Sequence, residues 1–139
     1  MLSLSAIILD FIARHFTIEH QLGLNQESKN RKMAYSSDAI QAIHKKYGYE
    51  EEMVRNEMHS LDDRTSDEYL DLMADLKSLQ NQEEMEVKRI EEESTQYQTH
   101  IDKENDQLES QLAAIDADME SFKSTRSEDI KESFACFQR

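Results

Sequence analysis

From Ser66 to Phe134 the chain runs without a single glycine or proline. Those are the two strongest helix breakers. The stretch is rich in Glu, Gln, Lys, Leu, Ala and Met, which lose little side-chain freedom in a helix. Just ahead, Thr65-Ser66-Asp67-Glu68 fits a capping box, with the Thr65 hydroxyl as N-cap and Glu68 reaching back. The sequence therefore predicts one long helix over 66–135, on the order of 100 Å at ~1.5 Å per residue. No single globular core covers a helix of that length.

Its apolar residues recur by threes and fours. Tyr69, Leu72, Leu76 and Leu79 lead, Val87, Ile90, Ser94, Tyr97 and Ile101 continue, and Asn105, Leu108, Leu112, Ile115, Met119 and Phe122 close the series. That spacing draws one stripe along one face. Paired four-residue steps near Glu83 and at Ile101–Asn105 read as stutters that relax a left-handed supercoil. The other faces are charged, so the stripe calls for another helix beside it.

The partner lies upstream. Leu4, Ile8, Phe11, His15, Ile18 and Leu22 keep the same spacing, and Ile7, Ile12 and Phe16 widen it. Asn25 to Lys32 is wholly polar, and Met33, Ile40, Ile43 and Tyr47 resume the pattern. Helix one is thus expected over 1–60, bent near Gly23 and again at Tyr47-Gly48-Tyr49, where glycine suits a C-terminal cap. Residues 61–65 form the loop. The predicted fold is all-α, one domain over 1–139: an elongated antiparallel helical hairpin of the coiled-coil kind with one very long C-terminal helix.

Folding the chain about residue 62 sets Leu4 near Phe122, Ile8 and Phe11 near Ile115 and Leu112, Ile40 by Met85, Tyr47 by Leu79 and Val54 by Leu72. Asn25–Lys32 falls opposite Glu93–His100, and Lys29, Arg31 and Lys32 face Glu91-Glu92-Glu93. Opposite charges beside a seam select register, although each exposed pair is worth only ~0–1 kcal/mol. The polar seam residues His15, Ser94 and Asn105 could help set register, but they are read first as loosely packed, partly wet positions.

Net charge is −14, unevenly placed. Residues 1–49 hold six Lys/Arg against four Asp/Glu, whereas 50–139 hold ten against twenty-six. So acidic a surface repels phosphate backbones, and nucleic acid is not an expected partner. One cysteine, Cys136, excludes an internal disulfide, and nothing near it would lower its pKa. Residues 1–18 are apolar but lack the basic n-region and cleavage site of a signal peptide. Asp10, Arg14 and His15 interrupt them short of a membrane-spanning length of ~20 residues. Membrane contact is not expected. Localisation is read as cytoplasmic, with export lacking a leader as the alternative.

Catalytic constellations are missing: no Gly-rich phosphate loop, nucleophile elbow or Cys-His metal spacing occurs. His15 and His20, near Glu19, are five apart rather than the four that set two ligands on one helix face. Asp116, Asp118 and Glu120 mimic part of a calcium loop without its glycine. The glutamates at 83–84 and 91–93 read as solvated or register-setting. Catalytic residues, metal ligands, cofactors and a small-molecule substrate are therefore all set at none.

Helix one runs out opposite about Ser124, leaving Ile130, Phe134 and Phe137 unpaired. Apolar patches of this kind mark association. The candidate interaction surface is Ile7, Ile8, Phe11, Ile12, Phe16, Phe122, Ile130, Phe134 and Phe137. The opening Leu2-Ser3-Leu4-Ser5-Ala6 with Ala13-Arg14, together with Asp129-Ile130-Lys131-Glu132-Ser133-Phe134, resembles small uncharacterised bacterial helical-hairpin proteins. In form the layout is also similar to axial, needle and filament subunits of flagellar or type III export systems. That resemblance implies paired apolar terminal helices, and it assigns no functional residue. The expected function is that of a non-enzymatic structural or interaction protein. It would self-associate or dock a protein partner through its apolar open end. The alternative is a secretion-apparatus component: a needle- or filament-like subunit, a stalk or a chaperone.

Overall fold

The computed structural model describes residues 4–137, except for the side chains of residues 133, 134, 136 and 137. The expectations placed on Phe134, Cys136 and Phe137 thus lie outside the described side chains. Two helices, α1 (Leu4–His59) and α2 (Asp67–Phe137), pack antiparallel as a hairpin. The fold is all-α.

α1 passes through both glycines without a break, contrary to the bends expected at Gly23 and Gly48. A glycine cap requires a left-handed residue, and neither glycine has positive φ. Each glycine costs a helix interior only about 1 kcal/mol relative to alanine. Seam contacts on both sides, at Leu22 and Asn25 and at Tyr47 and Glu51, hold the helix through that cost.

The turn is closed by its own polar groups. The Ser60 amide donates to the carbonyls of Asn56 and Glu57, and the Leu61 amide to that of Met58. Leu61 is half-buried in a hollow lined by Met58, Tyr69 and Leu76, so it pins the loop to both helices. The N-cap of α2 is Ser66, one residue later than expected. Its Oγ accepts from the Tyr69 amide at 3.2 Å and donates to the Asp63 carbonyl at 2.8 Å. Thr65 instead turns back, its hydroxyl (2.6 Å) and amide (2.9 Å) both donating to Asp63 Oδ1. An Asp that captures the Thr65 hydroxyl leaves the cap to the next hydroxyl in line.

The predicted stripe of α2 is the face that turns inward. Tyr69, Leu72, Leu76, Leu79, Val87, Ile90, Ser94, Tyr97, Ile101 and onward to Phe122 are buried or half-buried, while most of their neighbours are exposed. Most are half-buried because a single partner helix covers only one side of each knob.

The register differs from the expected one. Tyr47 bonds Glu86 rather than meeting Leu79, and Phe122 meets Phe11 rather than Leu4, each seven residues further along. Lys32 lies over the Tyr97 ring rather than facing Glu91–Glu93. Met85, expected beside Ile40, is exposed. The offset is not uniform, since Asn25–Asn105 lies about five residues and His44–Glu83 about two from the expected pairing; apolar matching alone therefore places the seam only to within about a heptad.

The chain divides into two units, each built from both helices. In the unit formed by residues up to Ser28 and from His100 onward, Phe11 and Phe122 meet with ring centroids 6.2 Å apart, and Ile18 and Ile101 are buried. In the unit spanning Lys29–Thr99, the seam carries polar levels at Ser36 and Ser94, at His44 and Glu83, and at Tyr47 and Glu86.

Candidate functional site

The first five turns of α1 are apolar on more than the face the hairpin uses. Ile7, Ile8 and Phe11 are half-buried toward the seam, with Phe11 against Phe122. Leu9, Ile12 and Phe16 repeat at the same three-four spacing about a third of a turn away, and they remain 63%, 52% and 68% exposed. A helix that is hydrophobic on two faces belongs in an interior with neighbours on both. Here α2 supplies only one. Across the seam, α2 turns Asp102, Lys103, Asp106, Glu109, Asp118 and Glu120 outward, so the surplus apolar surface belongs to α1.

The nine candidate residues therefore separate. Ile7, Ile8, Phe11 and Phe122 are seam residues, half-spent on the hairpin itself. Ile12 and Phe16 lie on the outer stripe. Ile130 is exposed (56%) on α2, and every described residue from Lys123 to Ile130 is exposed with it. Leu9 was not singled out from the sequence, where it sits inside a continuous apolar run. Its i, i+3, i+7 relation to Ile12 and Phe16 is the signal that identifies it.

The polar residues of this unit have defined partners. His15 lies between Glu19 (Nδ1 to Oε1, 3.5 Å) and Asp116 (Nε2 to Oδ1, 3.4 Å), whereas the His20 ring stacks on Phe16, centroids 6.1 Å apart. The two histidines thus diverge, and among the described residues no group of three or more His, Cys, Asp or Glu converges to hold a metal. Asn105 is not a loose, wet position. Gln21 donates to Asn25 Oδ1, and the buried Asn25 donates across the seam to Asn105 Oδ1, both at 2.9 Å.

A second polar cluster sits in the seam of the other unit. His44 Nδ1 approaches Glu83 Oε1 at 2.6 Å, which places the ring proton on that nitrogen. Glu51 is buried with Arg55 3.5 Å from its Oε2, while its Oε1 finds no hydrogen-bond donor. Beside Glu83 the neutral acid is favoured over the carboxylate, because only the acid could donate to Glu83. Accordingly the hydrogen bond to Glu83, then burial and the charge of Glu83, push the Glu51 carboxyl above the usual range. His44, then Glu51, hold the Glu83 carboxyl below it. Beside them the Tyr47 hydroxyl donates to Glu86 Oε1 at 2.9 Å, which raises the phenol. This cluster ties α1 to α2 at one level, as buried polar pairs that specify register do.

Among the described residues, no helix is long and apolar enough to cross a membrane. Compared with known proteins, the chain matches no family model, no curated protein and no solved structure.

Proposed function

We propose that this chain is a non-enzymatic structural and interaction protein, which self-associates or docks a protein partner through the outer face of the first five turns of α1. One observation carries the reading: Leu9, Ile12 and Phe16 form a continuous exposed apolar stripe that α2 does not cover. Burying it in a partner would stabilise an assembly by roughly 25 cal/mol per Å² removed from water. The ends of α1 and α2 supply the rim, with Ile130 as a second anchor.

Sedimentation of the full chain across a concentration series tests the proposal. Mass should rise with concentration, and Leu9→Asp with Phe16→Asp should abolish the rise while far-UV circular dichroism stays unchanged, because both side chains are already exposed. A chain truncated after Ser127 should assemble more weakly and keep its helicity. A monomer at every concentration, indifferent to these changes, defeats self-association. Polymers in electron micrographs of the concentrated protein would favour the filament-subunit form of the reading.

A further inference from the structure

The seam of the Lys29–Thr99 unit contains a level that its own side chains cannot fill. Ser36 on α1 and Ser94 on α2 are both buried and line the same groove, with Ser37 and Thr95 as its next small residues. Two serines at facing seam positions leave a notch where larger knobs fill the neighbouring levels. The notch opens sideways into a groove of about 530 Å³ whose aliphatic walls are Met33 and Ile40. Towards the turn a second hollow of about 510 Å³ continues it past Glu91 to Val87 and His44.

Ser36 makes the notch more than a stripe of small residues. It is only 6% exposed, and its Oγ has no hydrogen-bond partner. Ser94, by contrast, accepts from Gln98 Nε2 at 3.2 Å. A buried hydroxyl left without a partner costs roughly 1–3 kcal/mol, and one rotamer step turns Oγ toward the groove it lines.

The rim adds a sign and a direction. The α2 wall bears Glu83, Glu84 and Glu91 against Lys88, whereas the α1 wall offers the uncharged Ser37 and Gln41 before His44. Among the described residues neither Glu84 nor Glu91 makes an ion pair. From Met33 to His44 the groove runs for about three helical turns, roughly 16 Å.

We propose that this groove is a docking site for a basic amphipathic helix of another protein. Leu-like side chains of that helix flank the notch, and an Asn- or Gln-like side chain enters it to meet Ser36. Lys or Arg lies along the α2 side. This is helix-in-groove recognition with the charge held on one wall. The site is distinct from the outer stripe of α1 and stands independently of the reading given for that stripe.

The test uses the full chain and a synthetic amphipathic peptide of about fourteen residues, enough to span the groove. Leu, Asn and Leu occupy successive three-four positions of the peptide, and Lys lines one flank; a second peptide carries Glu in place of Lys. Fluorescence anisotropy should show the Lys peptide binding at least about tenfold more tightly than the Glu peptide, with the difference shrinking as salt screens the rim. Amide shifts on binding should map to residues 33–44 and 80–98. Ser36→Leu, which fills the notch, should weaken binding about tenfold with helicity retained. Glu84→Lys with Glu91→Lys, both exposed and neutral for folding, should do the same. Glu109→Lys with Asp118→Lys should leave binding intact. Equal binding of the two peptides, no binding, shifts outside the groove, or equal loss from the control pair would each overturn the proposal. So would loss of the chain's own self-association on Ser36→Leu, which would make the occupant a second copy.

Discussion

The two units use the same seam geometry to opposite ends. In the unit holding the start of α1, the seam is aliphatic and aromatic, with Ile18, Ile101, Phe11 and Phe122 around one Asn25–Asn105 bond. That unit also carries apolar surface its partner helix leaves bare. In the Lys29–Thr99 unit, polar residues occupy seam positions at Ser36, Glu51, Glu83 and Ser94, and the exposed large side chains are mostly methionine and tyrosine (Met33, Tyr35, Tyr49, Met53, Met73 and Met85, with Leu70). The first unit has adhesion in excess, and the second spends adhesion on specificity. Apolar contacts accept a heptad slip, whereas hydrogen bonds between named partners do not. Hydrogen bonds between named partners fix register in both units, at Asn25–Asn105 in the first and at His44–Glu83 and Tyr47–Glu86 in the second.

The largest effect expected from breaking this contrast lies in the apolar seam. Ile101→Ala should cost about 2–5 kcal/mol, the usual range for emptying a buried aliphatic site. It should lower the urea midpoint with an unchanged slope. Ser36→Ala at a polar level should be neutral or mildly stabilising, because it deletes a hydroxyl that has no partner. If the two substitutions cost the same, the division of labour is wrong.

Next in size is the shared proton of Glu51 and Glu83. The Glu51 carboxyl is raised by folding, so its contribution is full below the ordinary glutamate pKa and is lost as pH climbs through the raised value. Glu83 is depressed, so its contribution is present above the ordinary value and is lost as pH falls through the depressed one. Stability should therefore decline as pH rises through the raised Glu51 value and as it falls through the depressed Glu83 value. Glu51→Gln keeps a donor toward Glu83 at every pH. It should remove the decline and gain up to about 1–3 kcal/mol above the raised Glu51 value, the cost of a buried group without a partner. Urea melts at pH 5 and pH 8 separate the outcomes, and a decline that persists in the variant would exclude the shared proton.

A smaller effect belongs to the Asn25–Asn105 bond. Single Ala substitutions should each cost about 1 kcal/mol, and the double-mutant cycle should return a coupling of about 0.5–1.5 kcal/mol. Replacing both with Leu should raise the midpoint while loosening the register, which a cross-link between cysteines placed at the Phe11–Phe122 level would detect. A coupling of zero would return Asn105 to the loosely packed, wet reading.

These particulars show what the sequence discloses and where it falls silent. The three-four spacing identified the inward face of α2 from Tyr69 to Phe122, because burial follows helical period directly. Spacing could not fix the register to better than about a heptad, since neighbouring registers bury the same knobs. The glycines misled because their propensity cost is small beside the packing of a 56-residue helix. Glu51 was invisible in an acidic run, and only its facing partner Glu83 marks it as buried. Leu9 was hidden by its own neighbours: where a run is apolar throughout, hydrophobicity no longer says which residues the partner helix reaches.

The smallest effect is at the turn, and it asks whether the loop shares in setting register. Asp63 accepts from both the hydroxyl and the amide of Thr65, and these bonds hold its carboxyl below the usual range. Its contribution is therefore present above the ordinary aspartate pKa and is lost as pH falls through the depressed value. Asp63→Ala should lower the melting temperature slightly at pH 7 and match the parent in strong acid, where the carboxyl is already protonated. If Asp63 only trims the loop, the Phe11–Phe122 cross-link yield should be unchanged. If it helps fix where α2 begins, the yield should fall with the melting temperature. The second outcome would extend control of register from the polar seam to the residue that steers Thr65 away from the cap and leaves that role to Ser66.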